Sequence, residues 1–186
     1  MVVIKILSSI MDYLETIFPT IFHNGGMLAG SFVRDCIIRE ELVDKNRDID
    51  VLIPFENSIK LQKDLVDKFK AEIVTKDYNE SDCTSHYLAL IDGYEFDIFS
   101  GDRYFHCYLS PPDVDVNTLI WDYSGLMSWY DYDENTIYGY QMEIDDIVQR
   151  CLNKQAVIIR DEWIGDENYL EQRLEKLIKK NWTILN

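Results

Sequence analysis

Hydrophobic residues recur at helical spacing in two stretches near the start of the chain. The first stretch predicts a helix over residues 4–18 and contains Ile4, Leu7, Ile10, Met11, Leu14 and Ile17. The second predicts a helix over residues 56–70, with an apolar side formed by Ile59, Leu61, Leu65 and Phe69. Pro19, followed by Asn24-Gly25-Gly26, predicts that the first helix ends there and that a turn follows.

Short apolar and alternating segments predict strands between and after these helices. Residues 27–30 form an apolar strand that ends at Gly30-Ser31, and Ser31 is expected to cap a helix over residues 32–40. Alternation predicts a strand at residues 49–53. Three further strands are predicted at 72–75, 87–91 and 94–99, and Asp92-Gly93 joins the last two as a hairpin.

The later part of the chain has a more mixed pattern. It predicts strands at 104–109 and 156–160 and helices near 143–153 and 166–181. The element order predicts an α+β fold with a mixed β-sheet and flanking helices, followed by a short helical C-terminal part. We expect a first domain over residues 1–110 and a C-terminal extension over residues 111–186, with one continuous domain as the alternative.

Composition narrows the class of protein. The chain has 186 residues, 47% of them hydrophobic, which is enough for one folded domain with a core. Its formal net charge of −16 disfavours extended binding to nucleic acid, which requires a basic surface to neutralise phosphates. The N-terminus lacks the apolar run of a secretion signal, and no segment reaches the length of a membrane span. We therefore expect a soluble, cytoplasmic protein without a membrane partner; the pattern gives no sign of its oligomeric state.

Asp48 and Asp50 lie at the start of a predicted strand. Side chains alternate between the two faces of a strand, so both carboxylates are expected on one face, with Ile49, Val51 and Ile53 in the core. Adjacent carboxylates repel each other unless a cation lies between them, and Mg²⁺ prefers such oxygen ligands. The pair therefore predicts a metal site, with a solvated strand edge as the alternative.

Gly30-Ser31 lies at the junction between a predicted strand and a predicted helix. Glycine allows the backbone to approach a phosphate closely, and the N-terminus of a helix favours an anion. Ser31 has a hydroxyl group that could donate to the same phosphate. The junction therefore predicts a triphosphate site, with an ordinary capped helix as the alternative.

A third acidic segment lies on the second strand of the predicted hairpin. Glu95 and Asp97 share one face of this strand, and Tyr94, Phe96 and Ile98 share the other. If this strand is adjacent to the one with Asp48 and Asp50, Asp97 completes a set of three carboxylates that can hold two metal ions. Asp97 is preferred because apolar residues flank it directly, Glu95 is the reserve, and a surface strand with two acids is the alternative.

Gly30-Ser31-Phe32-Val33-Arg34-Asp35, followed by Asp48-Ile49-Asp50, resembles the DNA polymerase beta nucleotidyltransferase superfamily. The segment is most similar to the head domain of CCA-adding enzymes and poly(A) polymerases, which opens with Gly-Gly-x-Val-Arg-Asp before an Asp-x-Asp pair. Ser31 replaces the second glycine of that pattern. The resemblance implies a catalytic head in residues 1–110, with Mg²⁺ or Mn²⁺ on Asp48, Asp50 and Asp97 and with ATP or another nucleoside triphosphate as substrate.

The resemblance extends, more loosely, into the C-terminal extension, which is similar to the nucleotide-binding neck of the family. Asp113 and Asn117 match the segment that reads the ribose of the incoming nucleotide, with Pro112 in place of the preceding arginine. The family selects the base with a Glu-Asp-x-x-Arg motif, and Arg173 is the nearest arginine to the matching position. The expected nucleotide-binding set comprises Gly30, Ser31, Arg34, Asp35, Asp113 and Asn117.

These features together predict a metal-dependent nucleotidyltransferase that moves a nucleoside monophosphate to an acceptor hydroxyl and releases pyrophosphate. The acceptor stays open between a tRNA or other RNA 3′ end, a protein and a small molecule. The alternative is a catalytically degenerate module that keeps the fold and binds a nucleotide or a protein without turnover. The histidines, His23, His86 and His106, lack the spacing of a zinc site and are expected to be structural or exposed.

Overall fold

A computed structural model describes residues 2–41, 43, 45–75, 85–101, 113–128, 143–159 and 169–185, without the side chains of residues 2–12 and 169. The predicted strand at 104–109, His106 and the start of the helix predicted at 166–181 lie outside the described residues. Within the described ranges, no helix is long and apolar enough to cross a membrane.

The described part of the chain contains five α-helices and nine strands. The helices are α1 (Val2–His23), α2 (Gly30–Phe32), α3 (Phe55–Phe69), α4 (Ile144–Leu152) and α5 (Tyr169–Lys179). The strands are β1 (Met27–Leu28), β2 (Asp48–Pro54), β3 (Glu72–Thr75), β4 (Ser85–Ile91), β5 (Tyr94–Gly101), β6 (Leu119–Asp122), β7 (Gly125–Ser128), β8 (Gln155–Ala156) and β9 (Thr183–Ile184). A π-helical segment, Val33–Ile38, continues α2, and a 3₁₀ turn, Asp115–Asn117, precedes β6.

Seven of these strands form one mixed sheet in the order β3-β4-β5-β2-β1-β6-β7. Strands β2 and β5 are parallel, whereas the other neighbours in this sheet are antiparallel. Strands β8 and β9 form a separate parallel pair. The predicted α+β fold with a mixed sheet is confirmed.

Strands from both sides of residue 110 belong to the large sheet. Leu28 of β1 pairs with Trp121 of β6, which connects β6 and β7 to the N-terminal strands. The division into residues 1–110 and 111–186 stays a prediction, beside the alternative of one continuous domain.

One face of β2 and the apolar sides of α1 and α3 share a hydrophobic core. Ile49, Val51 and Ile53 are fully buried in it, as the alternation predicts. Each large apolar side chain buried in this way stabilises the fold by about 1.5–3 kcal/mol relative to its exposed state. The opposite face of β2 carries Asp48 and Asp50, followed by Leu52, which is buried in a second and smaller apolar cluster.

The apolar side of α3 is narrower than predicted. Leu61 and Leu65 are fully buried, but Ile59 is 80% exposed, so its assignment to the buried side is wrong. Successive residues of a helix are about 100° apart, which places Ile59 almost opposite Leu61 around the helix axis.

Helix α1 passes through Pro19, so the predicted helix end at this residue is wrong. Proline has no N–H to donate to the carbonyl of Glu15, which in a helix interior costs about 3 kcal/mol. The Pro19 ring is exposed, whereas Phe18 and Ile21 beside it are buried in the core. Burial of apolar residues on both sides of the proline outweighs the missing hydrogen bond, and the helix ends at His23.

Helix α2 begins at Gly30, so the prediction that Ser31 caps a helix over 32–40 is wrong. The N-cap residue is Ala29, which makes no side-chain cap hydrogen bond. The N–H of Ala29 donates to the carbonyl of Asp50 at 3.0 Å, so backbone pairing with β2 continues up to the start of the helix. Gly30, with a φ of +65°, makes the change of direction and leaves Ser31 inside the first turn.

Candidate active site

Asp48, Asp50 and Asp97 form an acidic group on one face of the sheet. In the parallel pair of β2 and β5, Asp50 lies directly beside Asp97, and Asp48 lies beside Glu95. One ligand oxygen from each of the three aspartates lies within 4.8 Å of the others, and the group does not include Glu95. This spacing suits carboxylates that share divalent cations.

The surroundings of Asp50 raise its pKa from 3.8 to about 7. Burial is the largest cause, the negative charges of Asp48 and Asp97 add to it, and the positive charge of Arg173 opposes both. A cation among the carboxylates would relieve this repulsion and displace the proton that Asp50 otherwise retains near neutral pH. The electrostatics of the acidic group are therefore those expected of a metal site.

Gly30 leaves the space that the Asp50 carboxylate fills. A Cβ atom at position 30 would lie 2.2 Å from Asp50 Oδ2, far inside van der Waals contact. The acidic group and the turn between β1 and α2 thus both require glycine here. Ser31 follows, partly buried in the first turn of α2.

His86 on β4 binds the third carboxylate, although the sequence patterns did not indicate it as a site residue. Its Nε2 is hydrogen-bonded to Asp97 Oδ1, and its ring stacks on Phe99 with centroids 4.2 Å apart. The hairpin contains a sequence signal for this contact. The two-residue turn Asp92-Gly93 sets Leu88 opposite Asp97 and His86 opposite Phe99. A diagonal cross-strand neighbour of this kind is within reach of a long side chain.

Arg34 and Asp35 are both buried and bind each other. Arg34 Nε and Nη2 donate to the Asp35 carboxylate at 2.7 and 2.9 Å, and Arg47 Nη1 and Lys180 Nζ lie 3.1 and 3.6 Å from it. Burial alone would raise the pKa of Asp35, but the hydrogen bonds and charges of these three cations outweigh it and lower the pKa. Direct contact of either residue with a nucleotide stays a prediction.

Asn117 connects Asp113 to the guanidinium of Arg34. Arg34 Nη1 donates to Asn117 Oδ1 at 2.7 Å, and Asn117 Nδ2 lies 3.5 Å from Asp113 Oδ1. Asp113 Oδ1 also accepts the N–H of Val114 at 3.0 Å. Four of the six residues in the expected nucleotide-binding set are thus connected, although Arg34 and Asn117 are 83 residues apart in the chain.

The second oxygen of Asp113 is buried, and among the described residues it accepts no hydrogen bond. Arg173 Nε of α5 lies 3.3 Å from this oxygen, so the two form an ion pair without hydrogen-bond geometry. Because Arg173 also acts on the pKa of Asp50, one side chain interacts with both the acidic group and Asp113.

The C-terminal segment packs on the helical segment that carries Arg34. The guanidinium groups of Arg34 and Arg39 lie over the buried ring of Trp182. Their central carbons are 4.9 Å and 5.6 Å, respectively, from the ring centroid. Arg39 also donates to the carbonyl of Cys151 at 2.7 Å. Together with the contact of Lys180 to Asp35, these interactions hold α2 and its π-helical continuation from the C-terminal side.

Solved structures of tRNA-processing enzymes share this fold, whereas no protein-family model and no curated protein matches the chain. The Thermotoga maritima CCA-adding enzyme complexed with tRNA matches over 94% of the chain, with a TM-score of 0.63 and 13% identity. A CCA-adding enzyme in complex with ATP matches over 96%, with a TM-score of 0.61 and 13% identity. A tRNA-processing enzyme matches over 96%, with a TM-score of 0.57 and 15% identity.

The chain spans less than half the length of these solved structures, namely 40%, 40% and 44% of them. Over that span its fold is similar to a nucleotidyltransferase head domain, as the motifs predicted. At this level of identity, the likeness shows the fold and leaves the reaction to be argued from the site.

Proposed function

We propose that the chain is a metal-dependent nucleotidyltransferase that transfers a nucleoside monophosphate from a nucleoside triphosphate to an acceptor hydroxyl. Pyrophosphate is the second product. The observation that carries the proposal is the acidic group, in which oxygens of Asp48, Asp50 and Asp97 lie within 4.8 Å of one another. The fold supports it, because the similar solved structures include CCA-adding enzymes in complex with ATP and with CTP.

The residues of the acidic group fit Mg²⁺ or Mn²⁺. All three are carboxylates, the hard oxygen ligands that these ions prefer. The raised pKa of Asp50 reflects its burial and, after that, the repulsion by Asp48 and Asp97 that a cation would remove. When bound, the ions would neutralise the triphosphate and make the acceptor hydroxyl more acidic. We assign to Asp97 a share in removing the proton of that hydroxyl.

The nucleotide has a suitable place at the junction of β1 and α2. Glycine at position 30 lets the first turn of α2 lie directly against the Asp50 carboxylate, and Ser31 in that turn contributes a hydroxyl donor for a phosphate. The buried Oδ2 of Asp113 accepts no hydrogen bond from the described residues, so a ribose hydroxyl would satisfy it. Asn117 lies beside Asp113 and would complete the ribose contact.

Arg34 and Asp35 contribute to nucleotide binding by their position. Both are buried, and Arg34 donates to Asn117 while it is held by Asp35. A guanidinium with these partners orients the Asn117 amide. We therefore assign to Arg34 and Asp35 the role of holding Asn117 in position for the nucleotide.

The acceptor is a hydroxyl of RNA, of a protein or of a small molecule. The solved complex of a CCA-adding enzyme with tRNA supports an RNA 3′ end. The net charge of −16 supports a protein or a small molecule, because a polyanionic acceptor would be repelled.

The test is incubation of the chain with each of the four α-labelled ribonucleoside triphosphates, Mg²⁺ and a cell extract. We expect label on RNA, protein or a small molecule, which identifies the acceptor class. An Asp48→Ala, Asp50→Ala double variant should lose the transfer. A matched double variant, Asp67→Ala with Asp145→Ala, removes two exposed carboxylates elsewhere and should retain it. Transfer by the Asp48, Asp50 variant would overturn the proposal.

A nucleotide-binding module without turnover is the second candidate. It is favoured by Pro112 at the position of the family's arginine and by the missing arginine of the motif that selects the base. Thermal unfolding with ATP and Mg²⁺ tests binding, since a ligand at 100 times its Kd stabilises the folded state by about 2.7 kcal/mol, and the transfer assay then separates the two candidates. Stabilisation together with no transfer from any triphosphate would support the module.

A further inference from the structure

Asp97 is bound by a histidine that has no part in the reaction proposed above. His86 Nε2 and Asp97 Oδ1 form a hydrogen bond between side chains that are 17% and 18% exposed. With an ionised carboxylate as its partner, this bond requires the His86 tautomer that carries its proton on Nε2. This bond fixes one oxygen of Asp97 and, with it, the direction of the other.

His86 is itself held in place by the sheet. Its ring lies flat on Phe99, with an interplanar angle of 13° and a centroid distance of 4.2 Å. The two residues are direct partners in the pairing of β4 with β5. A ring fixed by stacking and by its strand has little rotamer freedom left, so it can hold Asp97 in one orientation.

The orientation of Asp97 matters because of its neighbour. Asp97 lies directly beside Asp50 in the parallel pair, and like charges favour side-chain rotations that separate them. A hydrogen bond donated from outside the acidic group opposes such a rotation of Asp97. Carboxylates that bind metals commonly have a partner of this kind, and its loss typically lowers metal affinity about 10–100-fold.

We propose that His86 is a positioning residue that holds the Asp97 carboxylate toward the metal site without contacting the ion. The inference rests on the proposed function, because it concerns the ion bound by Asp48, Asp50 and Asp97. It adds β4, a strand that carries none of the three aspartates, to the elements that form the site.

Titration of the intact chain with Mn²⁺, followed by electron paramagnetic resonance without nucleotide, tests the role of His86. His86→Gln keeps an N–H donor at similar reach, and His86→Leu removes it. His23→Leu changes an exposed histidine at the end of α1 and is the control. We expect the Kd for Mn²⁺ to rise about 10-fold or more in His86→Leu, to stay within about threefold in His86→Gln, and to be unchanged in the control.

Four results would overturn the inference, and they differ in which parts of the proposal they leave intact. Equal affinity in wild type and a folded His86→Leu removes the role of His86 and leaves the metal site intact. Nitrogen coupling to bound Mn²⁺ that disappears in His86→Leu makes His86 a direct ligand. Absence of Mn²⁺ binding in the wild type removes the metal site and the proposed function as well. A folded His86→Gln variant that loses as much Mn²⁺ affinity as His86→Leu also contradicts the positioning role. Urea unfolding checks that each variant is folded.

Discussion

The carboxyl group of Asp50 retains a proton in the folded protein over a pH range in which the unfolded chain has lost it. Its pKa is about 7 in the fold and 3.8 ordinarily, chiefly because of burial and then because of Asp48 and Asp97. Between these values the folded state binds more protons than the unfolded state. The contribution of Asp50 to the free energy of unfolding therefore falls as the pH rises from about 4 to about 7, and it stays low at higher pH.

Replacement of Asp50 by asparagine should therefore stabilise the metal-free protein in a pH-dependent way. We expect Asp50→Asn to exceed the wild type in free energy of unfolding by about 1–3 kcal/mol at pH 8, and by little at pH 4. Urea unfolding in the presence of a chelator measures both differences. A difference of the same size at both pH values would contradict the electrostatic explanation.

Gly30 should tolerate no side chain, for two separate reasons. Alanine at this position combines the +65° φ angle with a Cβ atom 2.2 Å from Asp50 Oδ2. We expect Gly30→Ala to lower the free energy of unfolding by about 1–3 kcal/mol and to weaken Mn²⁺ binding at least tenfold. Gly125→Ala, with a φ of +119° and open space around it, isolates the backbone effect and should leave Mn²⁺ binding unchanged. Normal Mn²⁺ binding by Gly30→Ala would contradict the proposed contact.

At the scale of elements, the π-helical segment after α2 depends on the ion pairs of Asp35. This carboxylate is 1% exposed and lies against Arg34, Arg47 and Lys180. Asp35→Asn removes the negative charge that neutralises the buried guanidinium of Arg34, so we expect a loss of about 3–5 kcal/mol in the free energy of unfolding. Glu175→Gln breaks the exposed pair with Lys179 and should change it by less than about 1 kcal/mol. Urea unfolding of both variants checks this, and equal losses would contradict it.

Elements with a strong local pattern were predictable, and so were the residues whose placement follows from them. The alternation in β2 places Asp48 and Asp50 on one face, and the Asp92-Gly93 turn fixes the register of β4 and β5. That Asp97 lies beside Asp50 depends on the parallel pairing of β2 with β5, which no local pattern encodes.

Local signals failed where packing overrides them. Pro19 normally ends a helix, but the buried residues on both sides of it continue α1. Ser31 is a good capping residue, but pairing of Ala29 with Asp50 moves the start of α2 to Gly30. The contact between Arg34 and Asn117 joins residues 83 positions apart, so periodicity could not reveal it.

The charge of the whole molecule sets an expectation for its partners. With 34 acidic and 18 basic residues, the chain lacks the cation excess that neutralises phosphates. We expect the isolated chain to bind a tRNA transcript more weakly than about 100 μM at 0.15 M salt. Fluorescence anisotropy measures the affinity. Tight binding that weakens steeply with salt would instead show a local basic surface and favour RNA as the acceptor.

The in-register pairing of β2 with β5 also makes the acidic group a marker of folding. A slip of one residue between these strands would turn Asp97 toward the opposite face and separate it from Asp50. The two residues are far apart in the chain, and contacts of this kind form late because a long loop must close first. An ion would therefore bind this group only after β2 and β5 have paired in their native register. The time at which the ion binds during refolding would then measure when this pairing forms.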